Sequence, residues 1–142
     1  MCFLPKKIYE LNQEVGKVED FRIRILVVDD SMLMRNKLIK VLEELNYRVV
    51  GTAGNGTEAI KKFETTLPDI VTMDISMPNM NGIEALEKII VKYPSAKIIM
   101  ISAINQKSLV LEAIEKGAKH FIVKPFSSSK IKTVVEQVMW EM

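Results

Sequence analysis

Five polar residues stand where short apolar runs stop: Asp29 and Asp30 after residues 23–28, Asp74 after Ile70–Met73, Ser102 after 97–101, and Lys124 after 119–123. If those runs are strands of one parallel sheet, their ends share an edge and the three aspartates converge on it. Carboxylates at such close quarters cannot all stay ionised and unpaired, because like charges raise one another's pKa. A cation is implied. An all-oxygen donor set without a Cys or His cluster suits Mg²⁺, which keeps several waters and commonly takes one or two carboxylates together with phosphate oxygens. Asp29 and Asp30 are its natural ligands, which leaves Asp74 to act as an oxygen nucleophile towards phosphorus. Phosphoryl transfer spreads negative charge over three equatorial oxygens, so beside the metal the Lys124 ammonium would hold one and the Ser102 hydroxyl or backbone amides another.

These side chains meet only if the chain is built to bring them together. From Phe21 onward, five apolar runs (23–28, 47–52, 70–73, 97–101 and 119–123) alternate with segments of helical period, the pattern of an α/β domain with a parallel sheet. Ser31 is placed to cap a first helix whose stripe is Leu38, Val41, Leu42 and Leu45. A second helix spans 57–65 with Ile60 and Phe63 inward, and a third follows Asn81 and Gly82 with Ile83, Leu86, Ile89 and Ile90 inward, closed by Pro94. The fourth turns Leu109, Val110, Ala113 and Ile114 inward and stops at Gly117. The fifth is opened by the serines at 127–129 and carries Ile131, Val134, Val135, Val138 and Met139. Right-handed crossovers make this a doubly wound five-stranded parallel sheet, for which we adopt the common strand order 2-1-3-4-5, with the order reversing between strands one and three, where the aspartates lie. Residues 23–142 form one domain. Residues 1–22 are an N-terminal extension, in which Pro5 followed by Ile8, Leu11, Val15 and Val18 makes a short amphipathic helix or a frayed end.

Composition narrows the partners. A net charge of +2 gives no general pull on nucleic acid or anionic lipid, so recognition must come from a site. The single cysteine, Cys2, cannot form an internal disulfide, and no apolar stretch is long enough for a bilayer or a signal peptide, so a cytoplasmic setting is expected, away from the membrane. The Gly-rich stretch 51–56 lacks the spacing and the lysine of a phosphate-binding Walker loop. The two acids at the first strand-to-helix turn would repel a dinucleotide's pyrophosphate. One histidine, His120, read as a partly exposed strand residue, argues against zinc.

Four segments, in order, resemble the motifs of response regulator receiver domains: Ile-Leu-Val-Val-Asp-Asp at 25–30, Asp-Ile-Val-Thr-Met-Asp-Ile-Ser-Met-Pro at 69–78 continued by Asn81-Gly82, Ile-Ile-Met-Ile-Ser-Ala at 98–103, and Phe-Ile-Val-Lys-Pro-Phe at 121–126. The resemblance covers about residues 23–142 and implies the flavodoxin-like, CheY-like fold. It implies phosphotransfer from a sensor histidine kinase to Asp74, slow self-catalysed hydrolysis of the acyl phosphate, and a Mg²⁺ site of Asp29, Asp30, Asp74 and the backbone carbonyl of Ser76. It also implies a switch in which Ser102 is drawn to the phosphate and Phe121 turns inward. That switch would change a face formed by helix four, strand five and helix five, where a downstream protein target binds. With the last helix at the chain end, a stand-alone regulator of chemotaxis or of a phosphorelay is expected. Ser76 and Ile104 depart from common usage at positions that tune dephosphorylation, and Phe121 lacks a tyrosine hydroxyl.

Each residue also has a plainer reading. Asp30 and Ser31 suit a helix cap, but a cap does not explain two adjacent acids. Asp74 alone would be a turn residue and Lys124 a surface lysine. The competing enzyme reading, a Mg²⁺-dependent phosphatase with an aspartyl-phosphate intermediate, uses the same carboxylates but lacks a segment for substrate recognition.

Overall fold

Every residue of the strands Ile70–Met73 and Ile98–Ser102 is buried, as expected where helices cover both faces of a sheet. The computed structural model describes residues 20–140, so the segment from Ile8 to Val18 lies outside it. Strands β1 (Arg24–Val28), β2 (Arg48–Ala53), β3 (Ile70–Met73), β4 (Ile98–Ser102) and β5 (His120–Val123) alternate with α1 (Met32–Glu44), α2 (Gly56–Thr66), α3 (Gly82–Lys92), α4 (Lys107–Glu115) and α5 (Ser128–Trp140). All pairings are parallel, in the order β2-β1-β3-β4-β5.

Side-chain alternation splits the core in two. Leu26, Val28, Val71, Met73, Ile98 and Met100 face Ala59 and Phe63 of α2 and Ile83, Leu86 and Ile89 of α3. Ile25, Val27, Ile70, Ile99 and Ile101 face Leu38 and Leu42 of α1 and Ile131, Val134, Val135 and Val138 of α5. Helices are started at the carboxyl edge by side-chain caps: Met34 N donates to Ser31 Oγ at 3.2 Å, Glu58 N to Asn55 Oδ1 at 2.9 Å, and Ile83 N to Asn81 Oδ1 at 2.9 Å.

Two expectations are corrected. Ser102 is the last residue of β4 rather than a residue beyond it. Ile114, read as inward, is 44% exposed, and Ala113 is the one buried residue of α4. The cause is the helix's place beside β5, an edge strand: a nine-residue helix over a sheet margin can bury only a narrow stripe, and Leu109 and Val110 fill what remains of it half-buried. Leu111, Ile114 and Val123 therefore leave apolar surface on α4 and β5.

Candidate functional site

The sheet hydrogen bonds bring the acids together. Asp29 N donates to Ala53 O and Asp74 N to Val28 O, both at 3.0 Å, so the backbone of both residues is fixed by the ladder just past β1 and β3. Lys124 N donates to Ser102 O at 2.9 Å, which places the lysine at the same edge after β5. Its ammonium reaches across to donate to Asp29 Oδ2 at 2.6 Å and to Asp74 Oδ2 at 3.4 Å. The other oxygen of each buried acid is also engaged: Ser31 N donates to Asp29 Oδ1 at 2.9 Å and Ile75 N to Asp74 Oδ1 at 2.7 Å. Asp29 and Asp74 are buried, whereas Asp30 is exposed at the rim.

Burial raises the Asp74 pKa above its ordinary 3.8; the Lys124 charge opposes the rise, the Asp29 charge adds to it, and the Ser102 hydroxyl opposes it. For Lys124, burial alone would lower the pKa, but the bond to Asp29 and the charges of Asp74 and Asp29 outweigh it and the net shift is upward, so the amine stays an ammonium. The lysine sits closer to Asp29 than to Asp74, which leaves Asp74 the less neutralised of the two. The sign of the linkage follows. A carboxyl whose folded pKa is raised makes the fold less stable as pH rises from its unfolded value through the folded one. Asp74→Asn, uncharged throughout, is expected to show a higher urea midpoint than the wild type at pH 7 without Mg²⁺, with the gap closing below pH 3.8. Equal midpoints at both pH values would contradict this electrostatic account.

One carboxylate oxygen from each of Asp29, Asp30 and Asp74 lies within 4.8 Å of the others, and among the described residues this is the one cluster of metal-ligating side chains. Octahedral Mg²⁺ with bonds of about 2.1 Å spreads its ligands over at most about 4.2 Å. A small side-chain rotation therefore fits the cluster to the ion, and the absence of sulfur or imidazole donors suits a hard cation.

The remaining predicted residues fall around this edge. Ser102 is fully buried and its Oγ accepts a bond from Ile104 N at 3.2 Å, which leaves the hydroxyl proton to donate. Met100 pairs with Phe121 and Ser102 with Val123, so the half-buried Phe121 ring lies on the same sheet face as Ser102, one side-chain step away. Ser76 is exposed in the loop after Asp74. His120 is half-buried at the start of β5 with Nδ1 accepting from Phe121 N at 2.9 Å, away from any ligand role.

Comparison with known proteins decides the family. The family model described as response regulator receiver domain matches residues 25–136. The chain belongs to the receiver domain family. The receiver is 48% identical over 115 residues to the chemotaxis protein CheY of Listeria monocytogenes, covering 81% of this chain and 97% of that one. It is 50% identical over 116 residues to Protein CcdB of Bacillus subtilis, covering 82% and 97%. Among solved structures, a chain of the CheX-CheY-BeF3-Mg²⁺ complex of Borrelia burgdorferi superposes with a TM-score of 0.81 at 37% identity, covering 84% of the receiver and 90% of that chain. Neither the relatives nor the site favours the phosphatase reading. No helix of the described residues is long and apolar enough to cross a membrane.

Three features of the receiver site escaped the sequence reading. Arg35, on the second turn of α1, donates from Nη1 to the Asp29 carbonyl at 2.6 Å and so ties the helix to the acidic turn. Its position six residues after Asp29 was a signal only with α1 in place. Gly82 lies against the Asp74 carbonyl, and Gly56 lies against Met80.

Proposed function

We propose that Asp74 accepts a phosphoryl group from the phosphohistidine of a sensor histidine kinase, in a Mg²⁺-dependent exchange, and that the acyl phosphate switches a protein-binding face of α4, β5 and α5. The observation that carries this reading is the Lys124 ammonium bridging Asp29 and Asp74 at the sheet edge. A lone pair on an Asp74 carboxylate oxygen forms the new bond to phosphorus, and the phosphorus–nitrogen bond breaks with its electron pair leaving on the imidazole. Lys124 then pairs with a phosphoryl oxygen, and its raised pKa keeps it charged while it does so. Asp29, Asp30, Asp74 and the Ser76 carbonyl are the groups that would hold Mg²⁺, which when bound neutralises charge on the phosphoryl oxygens. Attack of water on phosphorus returns the carboxylate and releases inorganic phosphate, so the protein resets its own signal.

The switch follows from what surrounds Ser102. Its hydroxyl, which already favours the Asp74 carboxylate, would donate to a phosphoryl oxygen once Asp74 is phosphorylated, and movement of the hydroxyl would open room on the face that Phe121 shares. Leu111, Ile114 and Val123 supply the exposed apolar atoms that a protein partner needs. That a Borrelia receiver is seen with CheX, BeF3 and Mg²⁺ supports a protein target controlled by a phosphate-like group. A role in chemotaxis or a phosphorelay, in the cytoplasm where kinases meet their receivers, agrees with the chemotaxis relatives.

The test uses beryllofluoride, a phosphate mimic, with Mg²⁺. Binding to the folded state alone stabilises by about 2.7 kcal/mol at a hundredfold excess over Kd. The melting temperature is expected to rise in the wild type and to stay put in Asp74→Asn and Asp30→Asn. An unmoved wild-type transition would defeat the proposal.

A further inference from the structure

The loop that follows Asp74 is held from outside by a residue of α2. Gly56 N donates to the Met80 carbonyl at 3.1 Å, and a Cβ added to Gly56 would stand 2.6 Å from that oxygen and 2.8 Å from both Cβ and Cγ of Met80. Two elements far apart in sequence thus meet at a point with no room for a methyl group. Which side would yield is settled by burial. The helix is anchored by Ala59 and Phe63 in the core and by the Asn55 cap, whereas Ser76, Pro78 and Asn79 on the loop are exposed. The loop must give way.

Its displacement would not stop at Met80. Gly82 N donates to Ile75 O at 2.8 Å and Met80 N to Pro78 O at 2.8 Å, so residues 75–82 form a small closed loop with few independent motions. Ser76 lies on that loop, and Asp74 lies immediately before it. Resting on the proposed reading of Asp74 as a phosphoryl acceptor and of the Ser76 carbonyl as a metal ligand, we infer that Gly56 is a positioning residue for the metal site: its bare α-carbon and its amide hold Met80, and through Met80 the loop that carries Ser76. Residues that orient metal ligands from outside typically change metal affinity by about 10- to 100-fold when altered.

The experiment is calorimetric titration of the full chain with MgCl₂, alongside phosphorylation by acetyl phosphate over a range of Mg²⁺ concentrations. Gly56→Ala is expected to raise the Mg²⁺ dissociation constant by roughly tenfold, with the phosphorylation rate at saturating Mg²⁺ close to that of the wild type. Lys61→Gly, at an exposed position of the same helix, is expected to lower the urea midpoint without moving the Mg²⁺ constant. Met80→Gly, which removes the clamped side chain and frees the backbone, should weaken Mg²⁺ as Gly56→Ala does, and it decides the matter if Gly56→Ala does not fold. Wild-type Mg²⁺ affinity in every folded loop variant would overturn the inference. Failure of the wild type itself to bind Mg²⁺ or take the label would instead overturn the receiver chemistry on which it rests.

Discussion

Replacing Gly82 by alanine is expected to destabilise the fold by roughly 3 kcal/mol or more, at the upper end of what overpacking costs. The constraint is space. A Cβ at this position would lie 1.8 Å from the Asp74 carbonyl oxygen, 2.8 Å from its carbon and 3.0 Å from Met73 Cγ. Neither side can retreat cheaply. Asp74 is bonded through its amide to Val28 O at the sheet edge, and Gly82 is bonded through its own amide to Ile75 O. The first turn of α3, held by the Asn81 cap, would have to lift away from the sheet and release Ile83 and Leu86 from the core. Because the displaced atom belongs to the acceptor residue, the Mg²⁺ response should fail together with stability. Urea unfolding checks the first effect, with Gly54→Ala as the comparison, since a Cβ there meets only Arg35 Nη1 at an ordinary 3.5 Å. A Gly82→Ala midpoint equal to that of Gly54→Ala would show that the close approach to Asp74 is not a real restraint.

Removing Lys124 should have the largest effect on chemistry. The ammonium donates to Asp29 at 2.6 Å and Asp74 at 3.4 Å, and both acids are buried, so its loss leaves two carboxylates in a poorly solvated edge with no cation from the described residues on their side chains. Breaking a buried pair in this way costs about 3 kcal/mol or more when the remaining charge cannot neutralise itself. Lys124→Ala is therefore expected to unfold at lower urea in Mg²⁺-free buffer and to gain more stability from added Mg²⁺ than the wild type does. Its phosphorylation rate at saturating Mg²⁺ should still fall by roughly 100- to 1,000-fold, the usual consequence of deleting one group aimed at developing charge. Lys124→Arg should not restore the rate fully, because a planar fork cannot occupy the place of a point charge between two acids. Stopped-flow labelling with acetyl phosphate measures the rate. Wild-type speed in Lys124→Ala would remove the lysine from the mechanism.

Much of the site was legible in the sequence because each of its residues ends an apolar run. Asp29 and Asp74 lie at strand ends for the same reason that Val28 and Met73 lie within strands: polarity changes where the sheet stops being covered, and Lys124 likewise follows the apolar run of β5 although Val123 at the sheet margin is exposed. The order of the strands is adopted from the common doubly wound pattern rather than read from the residues, and the structure has that order, which brings the acids to one point. What escaped depends on distances between elements. Arg35 reads as one more charge on a helix until α1 is seen to lay it on the Asp29 carbonyl. Gly56 reads as one residue of a Gly-rich stretch and Gly82 as a motif residue before a helix, and only the approach of Met80 and Asp74 shows why no side chain fits. Ile114 was misplaced because helical period says which residues share a face but not how wide a face the sheet margin can cover.

The most direct test of the central claim is intact and peptide-resolved mass spectrometry after incubation with acetyl phosphate. One phosphoryl increment is expected, dependent on Mg²⁺, released by neutral hydroxylamine as an acyl phosphate must be, mapped to Asp74 and absent from Asp74→Asn. A wild type that takes no label, or a label of undiminished amount in Asp74→Asn, would contradict it.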